Sequence, residues 1–214
     1  MENAPVIFVL AGVNGAGKSS LGGARLRQSG LTYFNPDEAA QRIRKELGCS
    51  ADEANAMAWQ EGKRRLVAAI ASRESYAFES TLGGRTIPRL LSEAAEAGFE
   101  VVVWFLGLST PEQHIARVRA RVAVGGHDIA EALIRKRWDG SRRNLIALMP
   151  QLTELMLFDN SEERDPVTAT IPPPRLLLQW RRGAVVSPAH ALLETTPEWA
   201  KAIVAHALRL QRSA

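Results

Sequence analysis

Short apolar runs alternate with longer stretches of helical periodicity along the chain, the pattern of an α/β fold built on a largely parallel sheet. Five runs read as its strands: residues 5–11, 31–34, 75–81, 100–106 and 152–158. The fourth, Glu100-Val101-Val102-Val103-Trp104-Phe105-Leu106, is almost continuously apolar, which indicates a central strand covered on both faces. Between the runs lie helices whose starts are written in the sequence. Asn35-Pro36-Asp37-Glu38, Ser50-Ala51-Asp52-Glu53 and Thr110-Pro111-Glu112-Gln113 each place a capping residue three positions before Glu or Gln, and two put Pro at the first helical position. Asp128 and Glu131 read as a fourth start, and Gly98 as a helix stop. In the helix after Ser50, Met57, Trp59, Leu66 and Ile70 read as core. Beyond residue 161, three consecutive prolines mark a linker, followed by a hairpin around Arg182-Gly183 and a last helix from near Pro197. The expected organisation is a core over residues 1–161 with a lid at about 111–149, and an appendage of linker, hairpin and helix over 162–214.

The join between the first strand and the first helix carries chemistry. Gly12-Val13-Asn14-Gly15-Ala16-Gly17-Lys18-Ser19 fits the phosphate-binding loop at every position. In such a loop successive backbone N–H groups, here including those of Asn14, Gly15, Ala16, Gly17, Ser19 and Ser20, cradle phosphate. Lys18 reaches the outer phosphates and the Ser19 hydroxyl binds Mg²⁺. A helix over residues 20–28 puts its positive end beneath them, although Gly22-Gly23 costs that helix roughly 1 kcal/mol each against alanine. The implied ligands are ATP and Mg²⁺.

Other candidates fall at the carboxyl ends of the strands, where open α/β sheets bind ligands. Asp37, in the first turn after the second strand, is either the general base for a substrate hydroxyl or a carboxylate that only stabilises its helix. Glu79 and Thr81 end the third strand and are candidates for metal or substrate; a purely structural Glu79 is the alternative. Asn160 follows the fifth strand, where it would lie near a nucleotide base. Two arginine-bearing helices joined by Gly125-Gly126 form a hinged lid, with Arg117 and Arg121 on one face and Arg119 turned away. Arg135 and Arg137 on the second helix are candidates to reach the phosphates, and His127 reads as a hinge residue.

Composition narrows the class. The 214 residues are 46% hydrophobic, with a net charge of +4. The basic residues are interspersed with acidic ones and form no tail, which disfavours nucleic acid. The longest apolar stretch, residues 101–108, is far short of a membrane span, and the first apolar run leads straight into the phosphate loop and not to a cleavage site. A lone Cys49 suits a reducing compartment, so a cytoplasmic location is expected.

Taken together, the phosphate loop, Asn35-Pro36-Asp37, Phe78-Glu79-Ser80-Thr81-Leu82, the run from Arg121 through Gly125-Gly126-His127, Ile134-Arg135-Lys136-Arg137-Trp138 and Arg143-Asn144-Leu145 resemble the zeta toxin family of P-loop kinases. The resemblance covers roughly residues 6–161. It implies a P-loop NTPase three-layer sandwich with a five-stranded, mostly parallel sheet, an arginine-rich helical lid and a small C-terminal hairpin plus helix. It also implies ATP- and Mg²⁺-dependent phosphorylation of a hydroxyl on a UDP-amino sugar, UDP-N-acetylglucosamine. Lys18 and Ser19 would bind ATP and metal, Asp37 would be the base, Glu79 and Thr81 would position metal and substrate, and Arg121 with Arg135 or Arg137 would act from the lid. Such a kinase takes a small-molecule acceptor, and some relatives pair with an antitoxin protein. Two other readings fit a phosphate loop: a nucleotide-dependent switch or regulatory ATPase working through a protein partner, and a kinase for polynucleotide 5′-hydroxyl ends. A GTPase switch is disfavoured by the lack of an Asn-Lys-x-Asp motif.

Overall fold

A computed structural model describes residues 4–18, 33–163, 172–187 and 192–213. The expected helix over 20–28 with its glycine pair, Ser19, Ser20, the first two residues of the second strand and most of the linker lie outside the described residues. Seven strands form one sheet: β1 (Val6–Ala11), β2 (Tyr33–Phe34), β3 (Tyr76–Ser80), β4 (Glu100–Gly107), β5 (Glu154–Asp159), β6 (Arg175–Arg181) and β7 (Ala184–Ser187), in the spatial order β2-β3-β1-β4-β5-β6-β7. The first five are parallel, as the sequence pattern requires. The C-terminal hairpin differs from expectation in one respect: β6 pairs antiparallel with β5, so the sheet grows to seven strands. The unpaired edge of β5 is a template for this addition, and Trp180, 2% exposed, seals it into the core. Arg182 and Gly183, both at positive φ, make the tight turn between the two strands.

β1 sits between β3 and β4, and chain connections run in opposite directions on its two sides. This is the switch point at which a crevice opens above the carboxyl ends of the strands. The helices that wall the crevice are α1 (Pro36–Leu47), α2 (Ala51–Ser72), α3 (Thr86–Glu96), α4 (Pro111–Ala123) and α5 (Glu131–Leu148); α6 (Leu192–Thr195) and α7 (Glu198–Ser213) complete the described chain.

The caps form largely as written. Asn35 Oδ1 accepts from the Asp37 and Glu38 backbone N–H groups at 2.9 and 3.3 Å, and Ser50 with Glu53 makes a reciprocal box. Thr110 caps α4 through Gln113 N–H, while the Gln113 side chain returns to Ser109 N–H, one residue farther back. Asp128 does not cap α5. Its carboxylate accepts from Ile129 N–H, and the helix begins after Ala130 with no side-chain cap.

One face of the sheet packs Val101, Val103 and Phe105 of β4 into the main core, and the other packs Val102, Trp104 and Leu106 against Phe8 and Leu10. On α2 the inward face is a stripe of small residues, Ala54, Ala58 and Gly62, continued by Leu66 and Ala69. Gly62 lies against the Phe34 ring. This stripe sets the helix phase, so Leu66 is buried and Ile70 packs against the core as expected. Met57 and Trp59, expected in the core, are 46% and 44% exposed. Trp59 follows Ala58 by about 100° of helical turn and thereby leaves the buried face. At the far end of β4, Trp199 of α7 lies so close to Gly107 that a Cβ there would overlap its ring. Gly107→Ala should therefore destabilise the fold by about 1–3 kcal/mol, read as a lowered urea midpoint; an unchanged midpoint would contradict this packing.

Candidate active site

The phosphate loop runs from the end of β1, and its glycines are needed for two reasons at once. Gly12, Gly15 and Gly17 have φ of 142°, 83° and 89°, a region in which L side chains are strained. Each is also approached closely from outside. A Cβ on Gly12 would overlap the Leu106 carbonyl, on Gly15 it would lie 2.8 Å from the His114 carbonyl, and on Gly17 it would overlap the Asn160 amide. The neighbours clamp the loop. Gly12 N–H donates to the Ser80 carbonyl at 3.1 Å, His114 Nδ1–H to the Asn14 carbonyl at 2.9 Å, and Asn160 Nδ2 to the Ala16 carbonyl at 2.8 Å. Arg117 locks the last contact from behind by donating to the Asn160 carbonyl at 2.8 Å. Asn160, expected near a nucleotide base, has its amide on the loop backbone at Ala16 and Gly17.

Above the loop lies a cleft of about 590 Å³ that reaches Lys18, Asp37, Glu79, Thr81 and Arg137. Lys18 Nζ donates to the Gly12 carbonyl at 2.9 Å. Burial lowers its pKa, with Arg121 and Arg137 adding to that effect and Glu79 and Asp37 opposing it. Asp37 stands at the start of α1 and accepts at Oδ2 from Arg121 Nη1 at 3.1 Å. Behind it, Glu79, 7% exposed, accepts at Oε1 from Tyr33 Oη at 2.5 Å and from Asn35 Nδ2 at 3.1 Å. Glu79 therefore fixes the residue that caps α1 and orients the turn bearing Asp37. Thr81 Oγ1 accepts from Gly83 N–H at 3.3 Å. It shapes the loop after β3, in which Leu82 takes a positive φ of 52°.

The arginines of α4 and α5 separate by helix phase. Arg117 and Arg121 face inward, while Arg119 pairs with Glu131 on the outside. Arg121 Nη2 also donates to the His127 carbonyl at 3.3 Å, which ties the turn between the two helices to α4. Of the two candidates on α5, Arg137 enters the cleft and donates to Asn14 Oδ1 at 2.7 Å. Arg135 lies outside it and pairs with Glu112 at 2.5 Å. The cause is the packing of α5: Gly140 fits under the Gly83 carbonyl, where a Cβ would sit 2.7 Å away, and Asn144 Nδ2 donates to the Leu82 and Gly84 carbonyls at 2.5 and 2.8 Å. Arg137, Gly140 and Asn144 form one stripe, and Arg135 lies off it.

Ser19 and Ser20 lie outside the described residues, and among those described no group of three His, Cys, Asp or Glu side chains is placed to hold a metal ion by itself. No helix among them is long and apolar enough to cross a membrane. Lys63 and Leu133 line the cleft without a sequence signal that singles them out, Trp59 lines it although its size reads as core, and His114, which holds the phosphate loop from beneath the cleft's lining, carries no local signal either.

No protein-family model matches the sequence. An uncharacterized protein of Haemophilus influenzae is 30% identical over 143 residues, which make up 64% of this chain and 94% of that protein. The chain belongs to the family of that Haemophilus protein. Among solved structures, a chain of AvrRxo1-ORF1:-ORF2 with ATP superposes with a TM-score of 0.65 at 17% identity, over 91% of this chain and 64% of that one. A chain of the PezAT toxin–antitoxin system of Streptococcus pneumoniae gives 0.56 at 12% identity, over 99% and 88%. These likenesses show a shared fold, the P-loop α/β sandwich that the zeta toxin resemblance implies.

His114 offers a test of the loop clamp. The ring is fully buried, and burial pulls its pKa from an ordinary 6.5 to about 4, against the opposing effect of its bond to Asn14. Between those values the unfolded chain binds more protons than the folded one. Stability from this group is thus complete above about pH 6.5 and falls as pH drops toward 4, by up to about 3 kcal/mol. His114→Asn keeps a donor for Asn14 but does not titrate. Urea unfolding at pH 7 and pH 4.5 should show a smaller acid loss for this variant than for the wild type; equal losses would contradict the assignment.

Proposed function

We propose that the protein is an ATP-dependent kinase that transfers the γ-phosphate to a hydroxyl of a small molecule. The observation that carries this reading is the convergence in one cleft of Lys18, Asp37 and Arg137, with Arg121 paired to Asp37 at its rim. The glycine-lined loop and Lys18 fit a polyphosphate, and Ser19 is the residue of the motif that would take Mg²⁺. When bound, ATP with Mg²⁺ supplies the transferable phosphoryl group. Lys18, Arg121 and Arg137 supply fixed positive charge where negative charge accumulates, the main contribution a protein makes to this chemistry.

Asp37 accepts the proton of the acceptor hydroxyl. In the described state Arg121 holds Oδ2 across a partly exposed pair, the two side chains being 36% and 41% exposed. Such pairs are worth about 0–1 kcal/mol, so Arg121 can leave Asp37 for an anion at little cost. The buried Arg121 Nε–H, with no partner among the described residues, is a further donor for that anion. Thr81 helps to position the acceptor. Glu79, engaged by Tyr33 and Asn35, acts on the acceptor side through Asn35 and Asp37 more than as a direct metal ligand. The acceptor favoured by the zeta toxin resemblance is a UDP-amino sugar such as UDP-N-acetylglucosamine. A protein partner of the antitoxin kind is proposed on the same ground, with the PezAT likeness in support.

Lys18→Ala should abolish ATP binding and phosphoryl transfer alike. Asp37→Asn should retain ATP affinity within about threefold yet lose turnover by at least about 10²-fold, the scale of general-base catalysis. Nucleotide titration together with ADP release distinguishes the two, and full turnover in Asp37→Asn would remove Asp37 as the base. The lid offers a paired control: Arg137→Ala should lower turnover by about 10²-fold or more, while Arg135→Ala leaves it unchanged. Equal losses in both variants would contradict the assignment of Arg137.

A further inference from the structure

The turn that follows β5 carries more anchors than its length calls for. Asp159 ends the strand with a side chain only 9% exposed, and its Oδ1 accepts from Trp199 Nε1 of α7 at 3.3 Å, from Ser161 N–H at 3.2 Å and from Ser161 Oγ. Its Oδ2 stands 3.6 Å from Arg175 Nη2 of β6. Ser161 Oγ in turn accepts from Ser109 Oγ at 2.9 Å, and the Ser161 carbonyl from Gln113 Nε2 at 3.4 Å. Asn160 N–H donates to the Gly107 carbonyl at 3.0 Å, while Arg117 Nη2 donates to the carbonyls of Asn160 and Glu162 at 2.8 and 3.2 Å. The end of β4, α4, β6 and α7 thus all fasten residues 159–162.

What they hold in place is the Asn160 side chain. Its Nδ2 donates to the Ala16 carbonyl at 2.8 Å and occupies the space that a Cβ on Gly17 would need. A peptide unit is planar and trans, so the Gly17 N–H points opposite to the Ala16 carbonyl, away from Asn160. The bond therefore fixes the plane of the 16–17 peptide, and with it the direction of an N–H that the motif offers to phosphate. At the other end of the relay, Trp199 is 4% exposed, lies against Gly107 and stacks on Phe105 with ring centroids 6.4 Å apart. Packing holds the indole, and the indole N–H holds Asp159. A carboxylate this buried is costly unless its oxygens are hydrogen-bonded, and the donors here come from its own turn and from the C-terminal elements.

Resting on the nucleotide-binding half of the kinase reading, we infer that Asp159 and Trp199 are positioning residues for the phosphate cradle. The C-terminal hairpin and helix act through Asp159 on the turn after β5, and through Asn160 on the 16–17 peptide of the loop. Asp159, Asn160, Arg175 and Trp199 all lie outside the lining of the cleft, so their influence on a bound polyphosphate passes through the loop backbone. The appendage is thereby part of the donor site, and it sets affinity for the phosphates and not for the base.

The test uses the full chain with Mg²⁺ and two probes in calorimetric titration: a non-hydrolysable ATP analogue, and tripolyphosphate, which has no base. Asn160→Ala should weaken both by the same factor, about tenfold, the scale of one hydrogen bond to a buried carbonyl. Trp199→Phe keeps the ring against Gly107 and removes only the N–H; it should weaken both about threefold or more, with a urea midpoint close to that of the wild type. Asp159→Asn, which keeps an acceptor for the indole, should restore most of the affinity lost in Asp159→Ala. In the double variant Trp199→Phe/Asn160→Ala the loss should equal that of Asn160→Ala alone, because the indole acts through Asn160. Wild-type affinity in Trp199→Phe or in Asn160→Ala, or losses that add in the double variant, would overturn the inference. A loss seen with the ATP analogue and not with tripolyphosphate would put Asn160 on the base and overturn it as well. If the wild type bound neither probe, the kinase reading and this inference would fall together, whereas the Asp37→Asn variant judges the transfer step by itself.

Discussion

Everything in this site depends on how closely the backbone of the phosphate loop is held by its neighbours. The Leu106 carbonyl presses on Gly12, the His114 carbonyl on Gly15 and the Asn160 amide on Gly17, so that a Cβ at any of the three is excluded by contact as well as by φ. These neighbours come from the end of β4, the first turn of α4 and the loop after β5. The phosphate loop is thereby the point at which the sheet, α4 and the support from the C-terminal elements meet. The last link is visible at Asp159, which accepts from Trp199 Nε1 at 3.3 Å and stands 3.6 Å from Arg175. A rigid cradle is what phosphoryl transfer asks of a protein, since positioning and fixed charge account for most of the catalysis.

The second constraint is the phase of α5. Gly140 under the Gly83 carbonyl and Asn144 across Leu82 and Gly84 fasten this helix to the loop after β3. Arg137 is then directed to Asn14 of the phosphate loop, and Leu133 and Lys136 line the same cleft. On the other side, Glu79, Asn35 and Asp37 form a chain of contacts from β3 to the first turn of α1. Asp37 is accordingly held by its own cap, and its Arg121 partner is weakly enough bound to be exchanged.

How much of this was legible in the sequence depends on whether the determining contact is local. The phosphate loop, the Asn35 and Ser50 caps and the split of Arg117 and Arg121 from Arg119 rest on spacing within a few residues, and all can be read directly. The choice between Arg135 and Arg137 needs the phase of a helix, which is set by a tertiary contact at Gly140; the glycine itself was the available signal. Trp59 was misread because large side chains were taken as the core of α2, whereas the buried stripe is Ala54, Ala58 and Gly62, where small residues allow close approach to Phe34. The addition of the hairpin to the sheet depends on the free edge of β5, which no local pattern announces. The bond from Asn160 Nδ2 to the Ala16 carbonyl spans 144 residues, a separation no local pattern reports.

If the cleft joins a phosphate donor to a small-molecule acceptor, the identity of the product reveals it. The protein would be incubated with ATP, Mg²⁺ and a panel of nucleotide sugars, nucleosides and sugar acids, and the mixtures followed by mass spectrometry. A phosphorylated acceptor should accumulate in step with ADP. ADP appearing with only inorganic phosphate beside it in every mixture would contradict it and describe an ATPase instead.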